Sequence, residues 1–269
     1  MPIVLSAAGN PLPSDRTPDL SSPARTTIYK RYQELITDKA RQDALATWIK
    51  DCRELYANGN PRSGISLFLG ETEKAMHLLT LYGAHLILEN WQILSQDGTT
   101  DVLLNSLAMA SEIFSGQAET IQEASRAAYY ASSSSLDDLG DEEAAFLWAH
   151  RAIKLSKLSG DTYPWIGDCW ILVGRAGVAN GMAEATEGAF KTGLRLQAQL
   201  AGEVPAANFN LALGWKHYAD YLDNTSRQGE ALIALGEATK IVATIPPALR
   251  GYPEIVAIVA AYQGRLSLG

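Results

Sequence analysis

The sequence predicts an all-α protein, a superhelical array of antiparallel helix pairs of the α-solenoid kind. Three observations predict it. First, a faint repeat aligns Tyr129–Ile153, Trp170–Leu194 and Trp215–Thr239, at spacings of 41 and then 45 residues. Each copy opens on an aromatic residue and breaks at a turn marked by Gly140, Gly181 or Ser226. Each then presents Ala145/Thr186/Ala231, Ala149/Phe190/Leu235 and Ala152/Gly193/Ala238 at helical steps of four and three. Second, apolar residues outside the repeat also recur three and four apart, the period of a helix with one buried face. Third, Gly and Pro fall between these stretches, and no segment alternates as a strand would. A helix pair cannot bury its apolar face alone, so repeated pairs stack. Stacked pairs build an extended binding surface rather than a catalytic pocket.

The elements follow in order. Residues 1–25 hold Pro2, Pro11, Pro13, Pro18 and Pro23 among Ser, Asp and Gly. Proline lacks the N–H that a helix needs, so this is an extended Pro-rich arm, able to pack along the helices, make a second contact or occupy a groove in cis. The helical repeat domain is expected over 26–269. From Thr26 to Asn58, Ile28, Tyr32, Leu35, Ile36, Leu45, Trp48, Ile49 and Cys52 share one helical face, and Asn58-Gly59-Asn60-Pro61 stops it. Glu71 to Ser95 reads as a helix ended by Gln96-Asp97-Gly98, and Thr99-Thr100-Asp101 caps the next. That helix carries Leu103, Leu104, Leu107 and Phe114 and precedes the three repeat pairs. After Pro246-Pro247, a last helix runs from Pro253 toward Leu268. No helix is predicted to follow it, which makes this edge a possible surface for a homo-oligomer or a larger complex.

Bulk composition narrows the function. The chain has 269 residues, 47% of them hydrophobic and 19% charged, a globular balance. A net charge of −8 argues against a broad nucleic-acid footprint, which needs a dense Lys/Arg face. Two cysteines, Cys52 and Cys169, lie too far apart in too long a chain for a disulfide framework. They read as buried free thiols in a reducing compartment, which points to an intracellular place, cytoplasmic or nuclear. No run of 18 apolar residues exists, so no membrane span is expected.

The repeat residues resemble those of the tetratricopeptide repeat. That family opens its first helix with an aromatic residue followed three residues on by a large-small pair. Trp170-Ile171-Leu172-Val173-Gly174 and Trp215-Lys216-His217-Tyr218-Ala219 match that opening, as does Leu79-x-x-Tyr82-Gly83. The small, large, small steps of the second helix match the positions above. The resemblance covers roughly residues 70–269 and implies a right-handed array whose first helices line a groove for a protein segment. It departs from the family in its longer period and in Ser132-Ser133, which stand where a large-small pair is expected. A fainter resemblance, in Tyr29-Lys30-Arg31-Tyr32 and in Ala144–Leu158, is to the helical-repeat region of separases. It implies a regulatory portion of a larger cysteine protease, although no catalytic His/Cys pair of that family can be placed.

Sites of chemistry are sparse. His77 and His85 are two helical turns apart, too far to share a metal without a third ligand. No metalloprotease, paired C-x-x-C, nucleophile-elbow or phosphate-loop pattern occurs. Asp137-Asp138 and Asp141-Glu142-Glu143 suit a helix start, where the dipole favours negative charge. The run Ser132–Ser135 suits a tight helix crossing. No metal, cofactor or catalytic residue is assigned, and the chain is not expected to be an enzyme. If the first helices line a groove, Tyr130, Ser134 and Asp137 face it from one repeat. Asp168, Ile171, Arg175 and Val178 face it from the next, and Lys216, Asp220 and Asp223 from the last. Tyr130, Arg175, Lys216 and Asp220 are the principal expected partner-binding residues. The expected function is a non-catalytic scaffold holding a peptide or helix of a partner protein. The alternatives are the regulatory portion already named, or a small-molecule-binding helical protein with a cavity lined by Trp165, Trp170 and Trp215.

Overall fold

The computed structural model describes residues 5–14, 80–89, 100–116, 118–179, 183–204, 207–245 and 252–266, with positions 30, 33, 34, 36–40, 43, 47 and 50. Cys52, His77, Gly181, Pro246-Pro247, the arm beyond 5–14 and most of the expected helical stretch 26–58 lie outside the described residues. Of the positions between 30 and 50, all but Asp38 are helical.

Nine helices follow from residue 80 onward among the described residues. They are α1 (Thr80–Glu89), α2 (Thr100–Phe114), α3 (Ile121–Asp137), α4 (Glu142–Ser159), α5 (Ile166–Ala179), α6 (Ala183–Glu203), α7 (Asn208–Asn224), α8 (Gln228–Val242) and α9 (Pro253–Leu266). Regular structure among the described residues is otherwise a 3-10 turn at Ala118–Thr120 and an isolated bridge between Leu5 and Pro11. The chain divides into two compact units, Met1–Asp161 and Thr162–Gly269.

The first unit holds α1 to α4 and the arm. Leu103, Leu104, Leu107 and Phe114 of α2 form its large apolar core face. The buried face of α3 is instead small: Ala124, Ala127, Ala128 and Ala131 alternate with buried Ser125, Ser132 and Ser135. Small side chains let α3 approach its neighbours closely, and the serine hydroxyls then reach across the seam. Ser111 Oγ donates to the Ala124 carbonyl at 2.9 Å, joining α2 to α3. Ser132 Oγ donates to the Ala145 carbonyl at 2.7 Å, and Ser125 Oγ to the Ala152 carbonyl at 3.0 Å. Seven residues backward on α3 match seven forward on α4, so the pair is antiparallel and in strict register. The turn between them uses Gly140 at φ 63°, a left-handed conformation that costs a side chain energy. Asp141 then caps α4 by accepting the Ala144 N–H at 3.0 Å, as the carboxylate cluster predicts. Gly160, also left-handed, ends α4.

In the second unit α5 pairs with α6 and α7 with α8. A Cβ on Gly174 would lie 2.8 Å from the Phe190 ring, and one on Gly177 would lie 2.7 Å from Thr186 Oγ1. These contacts set the α5–α6 register and show why the second-helix Phe needs a glycine opposite it. Ala231, Leu235 and Ala238 repeat the pattern on α8, all buried. Asp168 of α5 accepts Gln197 Nε2 of α6 within its pair at 2.5 Å and Asn210 Nδ2 of α7 in the next pair at 2.9 Å. Glu187 of α6 accepts the Tyr218 hydroxyl at 3.1 Å and Arg227 Nη1 at 2.7 Å. One apolar cluster joins Ile171, Phe190, Leu194, Tyr218, Leu222 and Leu235. A second joins Ala212, Ala238 and Val242 to Ile255 and Ile258 of α9.

The register corrects one expectation. In the second unit Thr186 faces Gly177, nine residues earlier, whereas Ala145 faces Ser132, thirteen earlier. The four extra residues are about one helical turn, so α3 runs a turn further before it reverses. Ser125, fully buried and bonded to Ala152, therefore occupies the slot of Trp170, and Tyr129 that of Gly174. Tyr129 is not the counterpart of Trp170, and Ser132 fills the slot of Gly177. This resolves why Ser132-Ser133 departs from the repeat pattern.

Candidate functional site

The first helices α5, α7 and α9 of the second unit are neighbours, with α7 in the middle. Arg175 lies on α5, half-buried. Lys216 and Asp220 stand one turn apart on α7 and pair at 2.7 Å. His217 adjoins Lys216 on α7 and feels the charges of both Lys216 and Arg175. Its burial, followed by the positive charges of Arg175 and Lys216, holds its pKa far below the ordinary imidazole value, at about 3. Its Nδ1 is 4.0 Å from Asp220 Oδ2, and a neutral imidazole at that distance makes no ion pair. Further along α7, Asp223 takes a two-pronged contact from Arg265 of α9 at 3.0 and 2.6 Å, which holds its carboxyl below the usual range.

Three of the four principal expected residues therefore meet on one stretch of the α5–α7 face. Lys216 and Asp220 are directly paired, and Arg175 acts on the same imidazole as Lys216. Their side chains are half-buried on α5 and α7. The fourth, Tyr130, is half-buried on α3 of the first unit with its ring 5.2 Å from that of Tyr129.

Other groove positions are occupied by structure. Ile171 is 5% exposed and belongs to the apolar core, so it does not line a groove. Ser134 is likewise buried, so it too does not line a groove. Asp168 and Asp223 are partly exposed but committed to clamping neighbouring helices. Val178 is 40% exposed and remains a surface position. His217 and Arg265 were not anticipated as members of this face. A histidine flanked by Lys216 in sequence carries no sign that Arg175, on another helix, lies beside it.

Cys169 is buried, and burial followed by the charge of Asp168 pushes its thiol well above the ordinary value. It is therefore a protonated thiol near neutral pH, matching the expected inert packing role. Trp165 and Trp215 each neighbour a different tyrosine, Tyr163 at 5.2 Å and Tyr218 at 6.2 Å. Among the described residues no helix is long and apolar enough to cross a membrane. No group of three or more His, Cys, Asp or Glu among them is arranged to hold a metal.

No protein-family model matches the sequence, and no curated protein matches it. Among solved structures, the chain is similar to the crystal structure of MamA protein, at 12% identity and a TM-score of 0.46. The alignment covers 74% of this chain and 92% of that one. These comparisons do not show the separase resemblance.

Proposed function

We propose that the chain is a non-catalytic scaffold that holds a peptide or helix of a partner protein against the first-helix face of its repeats. Arg175, Lys216 and Asp220 are the contacts in the second unit; Tyr130 is a separate contact of the first unit. The observation that carries this reading is the meeting of Arg175 and Lys216, from separate helices, around one neutral imidazole. Two cations kept apart from a third positive charge, with a carboxylate beside them, suit a partner segment bearing both acidic and basic side chains. The free, buried thiol of Cys169 supports an intracellular scaffold, in the cytoplasm or nucleus. The exposed side of α9, where Val256 is 54% exposed, is the edge through which copies or a larger complex would join.

The test compares the tagged chain with Arg175→Glu and Lys216→Glu in affinity capture from the source cell. Each reversal is expected to remove the partners that the unaltered chain recovers, while the melting temperature stays within a degree or two. Recovery of the same partners by both variants contradicts the reading.

A further inference from the structure

The N-terminal arm is not laid on the first-helix face. Residues 5–14 are bonded instead to the second helices α2 and α4, along the furrow that these contacts define. The arm closes a tight loop. Leu5 bridges Pro11, Ser6 N–H donates to the Asn10 carbonyl at 2.8 Å, and Gly9 takes a left-handed φ of 86° at the tip. Ser6 Oγ and Asn10 Nδ2 both donate to Asp141 Oδ2, at 2.5 and 2.7 Å. Ala7 N–H donates to Glu143 Oε2 at 2.9 Å. One turn further along α4, the fully buried Trp148 donates its Nε1–H to the Pro11 carbonyl at 2.8 Å. Ser14 N–H then reaches Glu112 Oε1 of α2 at 3.2 Å.

These contacts have the character of a ligand in a site. Each bond from the arm to a helix joins residues roughly a hundred or more positions apart in sequence, so none of these arises from local chain geometry. The furrow offers three carboxylates as acceptors and one indole as donor, and the arm answers with three kinds of donor and one carbonyl. Asp141 is itself buried. Burial works to raise its pKa, but the bonds from Ala144, Ser6 and Asn10 outweigh this and leave it below the ordinary value. A site so matched to an extended, turn-forming segment is available to any segment of the same chemistry once the arm leaves it.

We propose that the α2–α4 furrow is a second peptide-binding site, and that the arm is its built-in competitor. The ligand it fits is a partner's uncharged, turn-forming segment with a hydroxyl, a carboxamide four residues later, and a proline directly after that. Arm release exposes the indole of Trp148 and the carboxylate of Asp141 and frees the already exposed Glu143, so a partner must displace the arm before it binds.

The test uses the full chain and a fluorescent peptide of residues 2–14. In the S6A/N10A chain the arm is weakened, so the peptide is expected to bind at least tenfold more tightly than to the unaltered chain. The same peptide with alanine at both positions is expected not to bind. Absence of binding to a folded S6A/N10A chain, or equal binding of both peptides, overturns the proposal. Should that variant fail to fold, a chain carrying a protease recognition sequence within residues 16–28 is cut after purification. The proposal then requires the cut arm to exchange for the fluorescent peptide, and failure to exchange overturns it. Neither experiment touches Arg175 or Lys216, so its outcome is separate from that of the first-helix reading.

Discussion

Single residues set the chemistry of this protein through what they are forced to sit beside. His217 is the clearest case. Its folded pKa of about 3 is below the ordinary value of 6.5, so between those values the unfolded chain binds a proton that the folded chain does not. The stability that neutral His217 preserves is therefore complete above pH 6.5 and is lost as pH falls below it. The loss is at most about 1.4 kcal/mol per pH unit for one such group. Urea unfolding at pH 7.5 and 5.5 should show a steeper loss for the unaltered chain than for His217→Gln; equal losses would mean that His217 is protonated in the fold. Gly174 is the second case, since a side chain there meets the Phe190 ring at 2.8 Å before it extends at all. Gly174→Leu is expected to destabilise the chain by roughly 1–3 kcal/mol or more, read from the midpoint of thermal unfolding. The importance of Gly174 was legible in sequence, because a glycine within a helical pattern marks close contact. That of His217 was not, because its neighbour Arg175 is brought there only by packing.

At the scale of elements, the second helices were far more legible than the first. Ala145, Ala149 and Ala152 on α4, and their counterparts on α6 and α8, are all buried as the repeat requires. Their burial depends only on helical period and on a turn five residues earlier, both local properties. The register of α3 was not legible, because beyond Ile121 its buried face is built from Ala and Ser, with no large residue to mark the repeat. Tyr129 drew the alignment toward itself, one turn too late. The turns provide a further test. Gly140 and Ser226 mark equivalent reversals and share a φ of 63°, but Ser226 carries a side chain into that left-handed region. Arg227 N–H still reaches the Leu222 carbonyl at 2.8 Å, which holds the turn closed. Ser226→Gly should therefore stabilise the chain by about 1 kcal/mol, less the entropy that glycine returns to the unfolded state. A melting temperature that falls on this substitution would show that the serine hydroxyl contributes more than the strain costs.

At the scale of the whole molecule, stacked helix pairs leave two kinds of surface, one on the first helices and one on the second. The sequence pointed to the first, because a tetratricopeptide-like pattern implies a groove there. It was silent on the second, because the arm reaches Asp141 and Trp148 across more than 130 residues, and no periodicity records so distant a pairing. The proline content of residues 1–25 foretold an extended segment that could pack along the helices, but not where it would do so. In the proposed function, a partner is held at the Arg175–Lys216 face of the second unit. The most direct measurement places a photo-crosslinking residue at position 175, at position 216 and, as a control, at position 233. Position 233 on α8 is 67% exposed and lies off the proposed face. Irradiation in the source cell should join a partner protein to the chain from 175 and 216 and not from 233. Adducts that form as readily from 233, or none from 175 and 216, would contradict the account.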